Sequence, residues 1–222
     1  MKTFTHWKDF FKFLVSPNYN DANLGLGNKI LLTVNMLVLQ ILLVLPVIAI
    51  INHFSTTAPI VLLKTEEHIY TVVGLAIFAG VFEEIVFRLL LTKFNTLYFS
   101  ISLSGLTFIA VKKVYFHTML LGPEGLLYSL IIAVISYPLF YFIIKNNKEN
   151  LSKFWHEYFA YVFYISAFLF AISHFFNGLH LELSNLKLNI VHFIIALIAG
   201  FVRIRAGLFA IIILHIIYDL II

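Results

Sequence analysis

The chain has 222 residues, 61% of them hydrophobic and 12% charged, with a mean hydropathy of +0.97. Soluble domains run at roughly 45–50% apolar and about 25% charged, so this composition cannot clothe a water-soluble globule, and it is too rich in Phe, Ile and Leu for a disordered chain. Cysteine is absent, which removes disulfides, thiol nucleophiles and Cys-ligated zinc, and the net charge of +4 lies mostly between apolar runs, where it orients a membrane protein rather than binding nucleic acid.

Residues 1–29 read as an interfacial amphipathic helix and a linker. Phe4, Trp7, Phe10, Phe11 and Leu14 recur at helical spacing, Lys8 and Lys12 share another face, and Pro17 ends the pattern. No uninterrupted apolar run follows Lys2, so this is not a secretory signal. A spanning helix needs about 20 mostly apolar residues. Residues 30–51 meet that need and, with the loop to 69, form a first transmembrane unit. Further apolar runs cover 68–91, 96–111, 126–144, 158–176, 188–202 and 208–222. The expected fold is therefore all-α, a polytopic transmembrane helical bundle of about seven spans, with six to eight allowed by the shorter runs.

The basic residues of the short connections set the orientation. Lys2, Lys8, Lys12 and Lys29 place the N-terminus in the cytoplasm; Lys93, then Lys145, Lys148 and Lys153, then Arg203 and Arg205 fall on the same side when seven spans are threaded. The C-terminus then lies opposite. Lys112 and Lys113 break the pattern, and Gly122-Pro123 marks a turn or a re-entrant dip in 111–124.

Ionisable groups inside a span cost about 2.5–3.5 kcal/mol each on insertion scales, so each one is a functional hypothesis. Glu83, Glu84 and Arg88 lie inside one apolar run. Glu84 and Arg88 are four apart and share a helical face, so they neutralise each other; Glu83 points about 100° away. One carboxylate is held and the other is left for general-base work. The plainer reading is a structural ion-pair cluster between helices. His174 closes a second apolar run, and His215 and Asp219 share a face of the last one. His6, His53, His68, His156 and His180 read as interface or loop residues, and Glu66-Glu67 as a solvated loop without an arginine partner. His117 and His192 stay ambiguous.

Several intramembrane chemistries are absent from the pattern. His156 and Glu157 begin a zinc-protease signature, but Ala160 stands where the second histidine is needed. An aspartyl dyad fails because the chain has only Asp9, Asp21 and Asp219. Ser104-Gly105 lacks the glycine two positions earlier that a nucleophile elbow uses.

The ordered set Glu83-Glu84-x-x-x-Arg88, Phe170-x-x-x-His174 and His215-x-x-x-Asp219 resembles the motifs of the CaaX protease and bacteriocin-processing family, which includes the type II CaaX prenyl endopeptidases. The resemblance runs from about Tyr70 to Ile222, with inserted spans at about 96–144 accounting for the long stretch between Glu83 and His174. It implies an intramembrane endopeptidase, multi-pass in a bacterial plasma membrane, acting on a membrane-associated protein or peptide. By the same resemblance Glu83 activates a water and His174 shares its proton. His215 and Asp219 form the oxyanion side, Glu84 and Arg88 support the site, and Phe170 packs beneath His174. Asp219 departs from the family, which more often has Asn there, and a carboxylate donates no hydrogen bond unless protonated. The family is also labelled a metalloprotease. A zinc ion would take Glu83, His174 and His215, but the metal-free scheme asks less of each residue and is the reading favoured. The competing functions are a catalytically inactive membrane scaffold or regulator and a small proton-coupled transporter; the latter would show inverted repeats, which are absent.

Overall fold

In the computed structural model, residues 2–19, 24–54, 69–118, 122–175 and 183–221 are described, and they form helices throughout. A helix satisfies its backbone groups within one segment, which is what a chain this apolar needs in lipid. The order is α1 (Lys2–Val15), α2 (Leu26–Phe54), α3 (Ile69–Arg88), α4 (Thr96–Ala110), a π-helical turn (Val111–Tyr115), α5 (Leu126–Asn146), α6 (Lys148–Glu157), α7 (Phe159–Phe175), α8 (Leu183–Ala206) and α9 (Leu208–Ile221). Among the described residues four segments are long and apolar enough to cross a membrane, Leu26–His53, Thr96–Tyr115, Leu126–Asn146 and Asn189–Ala206; Phe159–His174 and Leu208–Ile221 are shorter apolar helices. Helix α3 joins them with the three charges already noted. The bundle is helical and polytopic, as composition requires. Glu66, Glu67, His68 and His180 lie outside the described residues.

Two elements differ from expectation. The amphipathic α1 turns much of its apolar face into protein: Phe10 and Phe13 are buried against Phe163 and Phe201 of the bundle. Helix α6, with its charged sequence, escaped the hydropathy reading. It is fixed by Trp155, buried, whose Nε1 donates to the Thr92 carbonyl at 2.9 Å.

Hydroxyls inside the apolar α4 bond back to their own helix, Ser100, Ser104 and Thr107 each to the carbonyl four residues earlier. Ser104, weighed above as a nucleophile, is therefore spoken for. The π-turn after α4 swings Lys112 and Lys113 inward, and both are buried. Lys112 Nζ donates to the Gly122 and Glu124 carbonyls at 2.6 and 2.7 Å, and Lys113 Nζ to the Ser173 carbonyl at 2.5 Å. These lysines are internal donors, not loop charges. Helix α5 is the most peripheral, with Leu130, Ile131, Val134, Ile135, Leu139 and Phe142 exposed as a lipid face requires.

Two glycines place the elements that carry the polar residues. Gly207, at φ 101°, ends α8; its N–H reaches back to the Val202 and Arg203 carbonyls, and α9 departs at once. Gly80 lets α3 and α9 touch, since a Cβ there would lie 2.6 Å from Ile216 Cγ1.

Candidate active site

Helix α3 ends unusually deep. Arg88, its last residue, is 1% exposed, and a buried helix end leaves carbonyls without partners. Arg203 of α8 supplies them, Nε to the Arg88 carbonyl at 2.9 Å and a terminal nitrogen to the Leu89 carbonyl at 3.2 Å. A cation at a helix C-terminus also suits its dipole. Ser166 Oγ then donates to the Phe87 carbonyl at 2.5 Å, so the last turn of α3 runs beside the middle of α7. About one turn from Phe87 on α3 and two turns from Ser166 on α7, Glu83 and His174 meet.

His174 Nδ1 lies 2.9 Å from the Phe170 carbonyl. A carbonyl only accepts, so Nδ1 carries the hydrogen and Nε2 turns its lone pair outward. That lone pair faces Glu83 Oε2 at 3.6 Å, too long for a direct hydrogen bond. Phe170 lies beneath the imidazole, ring centroids 4.6 Å apart, and His192 of α8 stacks on it at 4.1 Å and 20°.

Glu84 does more than the sequence reading assigned to it. Its Oε1 accepts from His215 Nδ1 at 2.8 Å and lies 3.5 Å from an Arg88 terminal nitrogen. The Arg88 guanidinium sits 3.8 Å from the Phe170 ring centroid, so its charge is shared between a carboxylate and a π face. On the far edge of His215, Nε2 is 3.4 Å from Asp219 Oδ2. Glu83, Glu84, Arg88, His174, His215 and Asp219 thus form one connected group spanning α3, α7 and α9. Most of them line a cavity of about 120 Å³, together with Gln40, His192 and Tyr218, room for several waters.

The zinc set of Glu83, His174 and His215 does not fit this geometry. Among the described residues no three His, Asp or Glu groups are placed to hold one ion. His174 keeps a lone pair on Nε2, but both His215 nitrogens face carboxylate oxygens, so that ring turns no nitrogen to the space between Glu83 and His174.

Four residues at the site carried no role above, Tyr218 of α9 among them. Lys113 lies close enough for its charge to act on both Glu83 and His174; its presence in an apolar run was the signal, spent on topology instead. His192 stood only as ambiguous. Gln40, fully buried on α2, was legible as one of two amides, with Asn35, in the mostly apolar span 30–51. His156, by contrast, pairs with Tyr19 at the other end of the bundle.

A protein-family model described as type II CAAX prenyl endopeptidase Rce1-like matches residues 65–221. No curated protein and no solved structure matches the chain. The match takes in α3 through α9 and every ionisable residue of the cavity. The apolar helices make this an integral membrane protein, and the chain belongs to the type II CAAX prenyl endopeptidase Rce1-like family of proteases.

Proposed function

We propose that this chain hydrolyses peptide bonds of a membrane-associated protein or peptide by a glutamate-type, metal-free mechanism. The observation that carries the reading is the meeting of Glu83 and His174, 3.6 Å apart on two different helices at the edge of a polar cavity. Carboxylate and imidazole lone pair present two acceptors to the same small space. A water can donate one O–H to each, which raises its nucleophilicity and fixes its direction of attack.

The water oxygen bonds to the scissile carbonyl carbon, its proton passes to Glu83, and the carbonyl π pair moves onto oxygen. Collapse of that tetrahedral species breaks the C–N bond, and Glu83 returns the proton to the departing amine. The second water hydrogen, left on the new carboxyl group, passes to the amine, so the products are a carboxylate and an ammonium. His174 shares the proton through Nε2, while the Phe170 carbonyl holds its ring. His215, tied to Glu84 through Nδ1, turns Nε2 toward the side where the oxyanion develops. Arg88 keeps Glu84 in place.

The chain purified in liposomes and mixed with a peptide pool from digested membrane proteins tests this, with cleavage read as new N-termini by mass spectrometry. Wild type generates a defined set of new termini, and Glu83→Gln generates none. A wild type that cuts nothing in the pool, or a Glu83→Gln variant that cuts as well, would refute the peptidase reading and leave the polar group as a structural brace.

A further inference from the structure

Gln40 is the polar group at this cavity that hydrolysis as described leaves unused. It comes from α2, outside the residues matched by the family, and it is 0% exposed. It lines the cavity shared by Glu83, His174 and His215 and lies beside Tyr218. The Tyr218 hydroxyl is within hydrogen-bonding reach of the amide, but neither Nε2 nor Oε1 of Gln40 makes a hydrogen bond of good geometry among the described residues. Buried amides without such bonds are rare because each forfeits its hydration.

The donors around the cavity are few. A carbonyl oxygen that gains charge during attack needs N–H or O–H groups aimed at it. Glu83, Glu84 and Asp219 are acceptors. His174 gives Nδ1–H to the Phe170 carbonyl, Lys113 donates to the Ser173 carbonyl, and His215 gives Nδ1–H to Glu84. The Arg88 guanidinium is packed on the face of Phe170, behind Glu84. His192 lies flat on His174, beside the attacking water. What remains toward α9 is the Tyr218 hydroxyl, which lies against the Gln40 amide, and His215 Nε2, 3.4 Å from Asp219 and a donor when the ring is an imidazolium. His215 alone makes a poor oxyanion site.

We propose that Gln40 is the second donor: its Nε2 and His215 Nε2 together hydrogen-bond the oxygen of the scissile carbonyl, which makes α2 part of the catalytic machinery. The terminal torsion of a glutamine is broad, so the amide turns its N–H toward that oxygen without moving the helix. Asp219, an acceptor one turn beyond His215, orients the imidazole and leaves the amide role to Gln40. This rests on the peptidase reading above.

The test uses the full chain in liposomes and the best-cleaved peptide of the membrane-protein pool, with Gln40→Met and Gln40→Leu. Both side chains fill a similar volume without polar atoms. The expected result is a fall in kcat of about 10²–10³-fold, the scale seen when one oxyanion donor is removed. KM should stay within about threefold, and the thermal midpoint should be no lower than wild type, because the amide makes no bond that folding needs. A kcat within about threefold of wild type overturns the assignment. So does a lowered midpoint or failure to fold in both variants, which makes the amide structural. Cleavage abolished by Glu83→Gln but spared by Gln40→Met removes the Gln40 assignment alone, whereas no cleavage by wild type removes the peptidase reading and this one with it.

Discussion

Glu83 and Glu84 are neighbours in the chain held in opposite circumstances. Glu84 Oε1 is shared by His215 and Arg88, both buried, while Glu83 lies 3.6 Å from His174, too far for a direct hydrogen bond. Glu84→Gln should therefore cost about 3–5 kcal/mol of stability, because it leaves a buried guanidinium without its countercharge. Glu83→Gln should keep the wild-type thermal midpoint and lose peptidase activity. Midpoints of the two variants in detergent, read beside their activities, check this; equal midpoints would refute the division. The purified, active chain should also carry well under one zinc per chain and keep its activity in chelator, since both His215 nitrogens are turned to carboxylates. Elemental analysis decides, and near one zinc per chain with activity lost on chelation and restored by zinc would reverse the assignment. Pairs four apart on one helix were legible from the sequence, as Glu84–Arg88 and His215–Asp219 show, since 3.6 residues per turn dictates them. The bond from Glu84 to His215 was not legible, nor was the place of Gln40, because both depend on how close α3, α2 and α9 come.

The depth at which α3 stops decides whether the site assembles. Its buried C-terminus persists because Arg203 bonds two of its last carbonyls, so Arg203→Met should expose that debt, at about 1–3 kcal/mol for each buried acceptor left bare. Activity should fall with it as Glu83 drifts from His174. Arg203→Lys restores charge but not the two-pronged geometry, so it should recover only part of either. Gly207→Ala should cost about 1–3 kcal/mol through its positive φ alone, a loss that thermal unfolding in detergent would register with the site chemistry untouched. Apolar runs located α2 through α5 and α7 through α9 to within a few residues, since lipid rewards such runs directly. The charged α6 was missed because hydropathy cannot see that Trp155 anchors it. The lysines of the π-turn were misread because their partners are backbone carbonyls of distant segments, which no local pattern announces.

At the scale of the whole molecule, burial of Lys112 and Lys113 changes the charge balance that sets orientation. With both taken up by internal carbonyls, they no longer count as loop charges against the positive-inside pattern. Lys8, Lys12, Lys93, Arg203 and Arg205 are gathered at one end by contacts that the sequence does not reveal. Helix α1 carries Lys8 and Lys12 and packs on Phe201, near Arg203 and Arg205. Arg205 reaches Asn18, Tyr19 pairs with His156, and Trp155 holds Thr92 next to Lys93. That basic end should face the cytoplasm, with α9 running away from it from Gly207. If α2, α3, α4, α5, α7, α8 and α9 each cross once, the two ends of the chain lie on opposite sides. Fusions of a reporter that folds only in the cytoplasm should then be active at residue 1 and between α5 and α6, and silent after residue 222. A reporter active only outside should show the reverse. Both ends on one side would mean that an even number of helices cross, and α4 with its π-turn, which ends in buried lysines rather than a solvated loop, would be the segment that dips and returns.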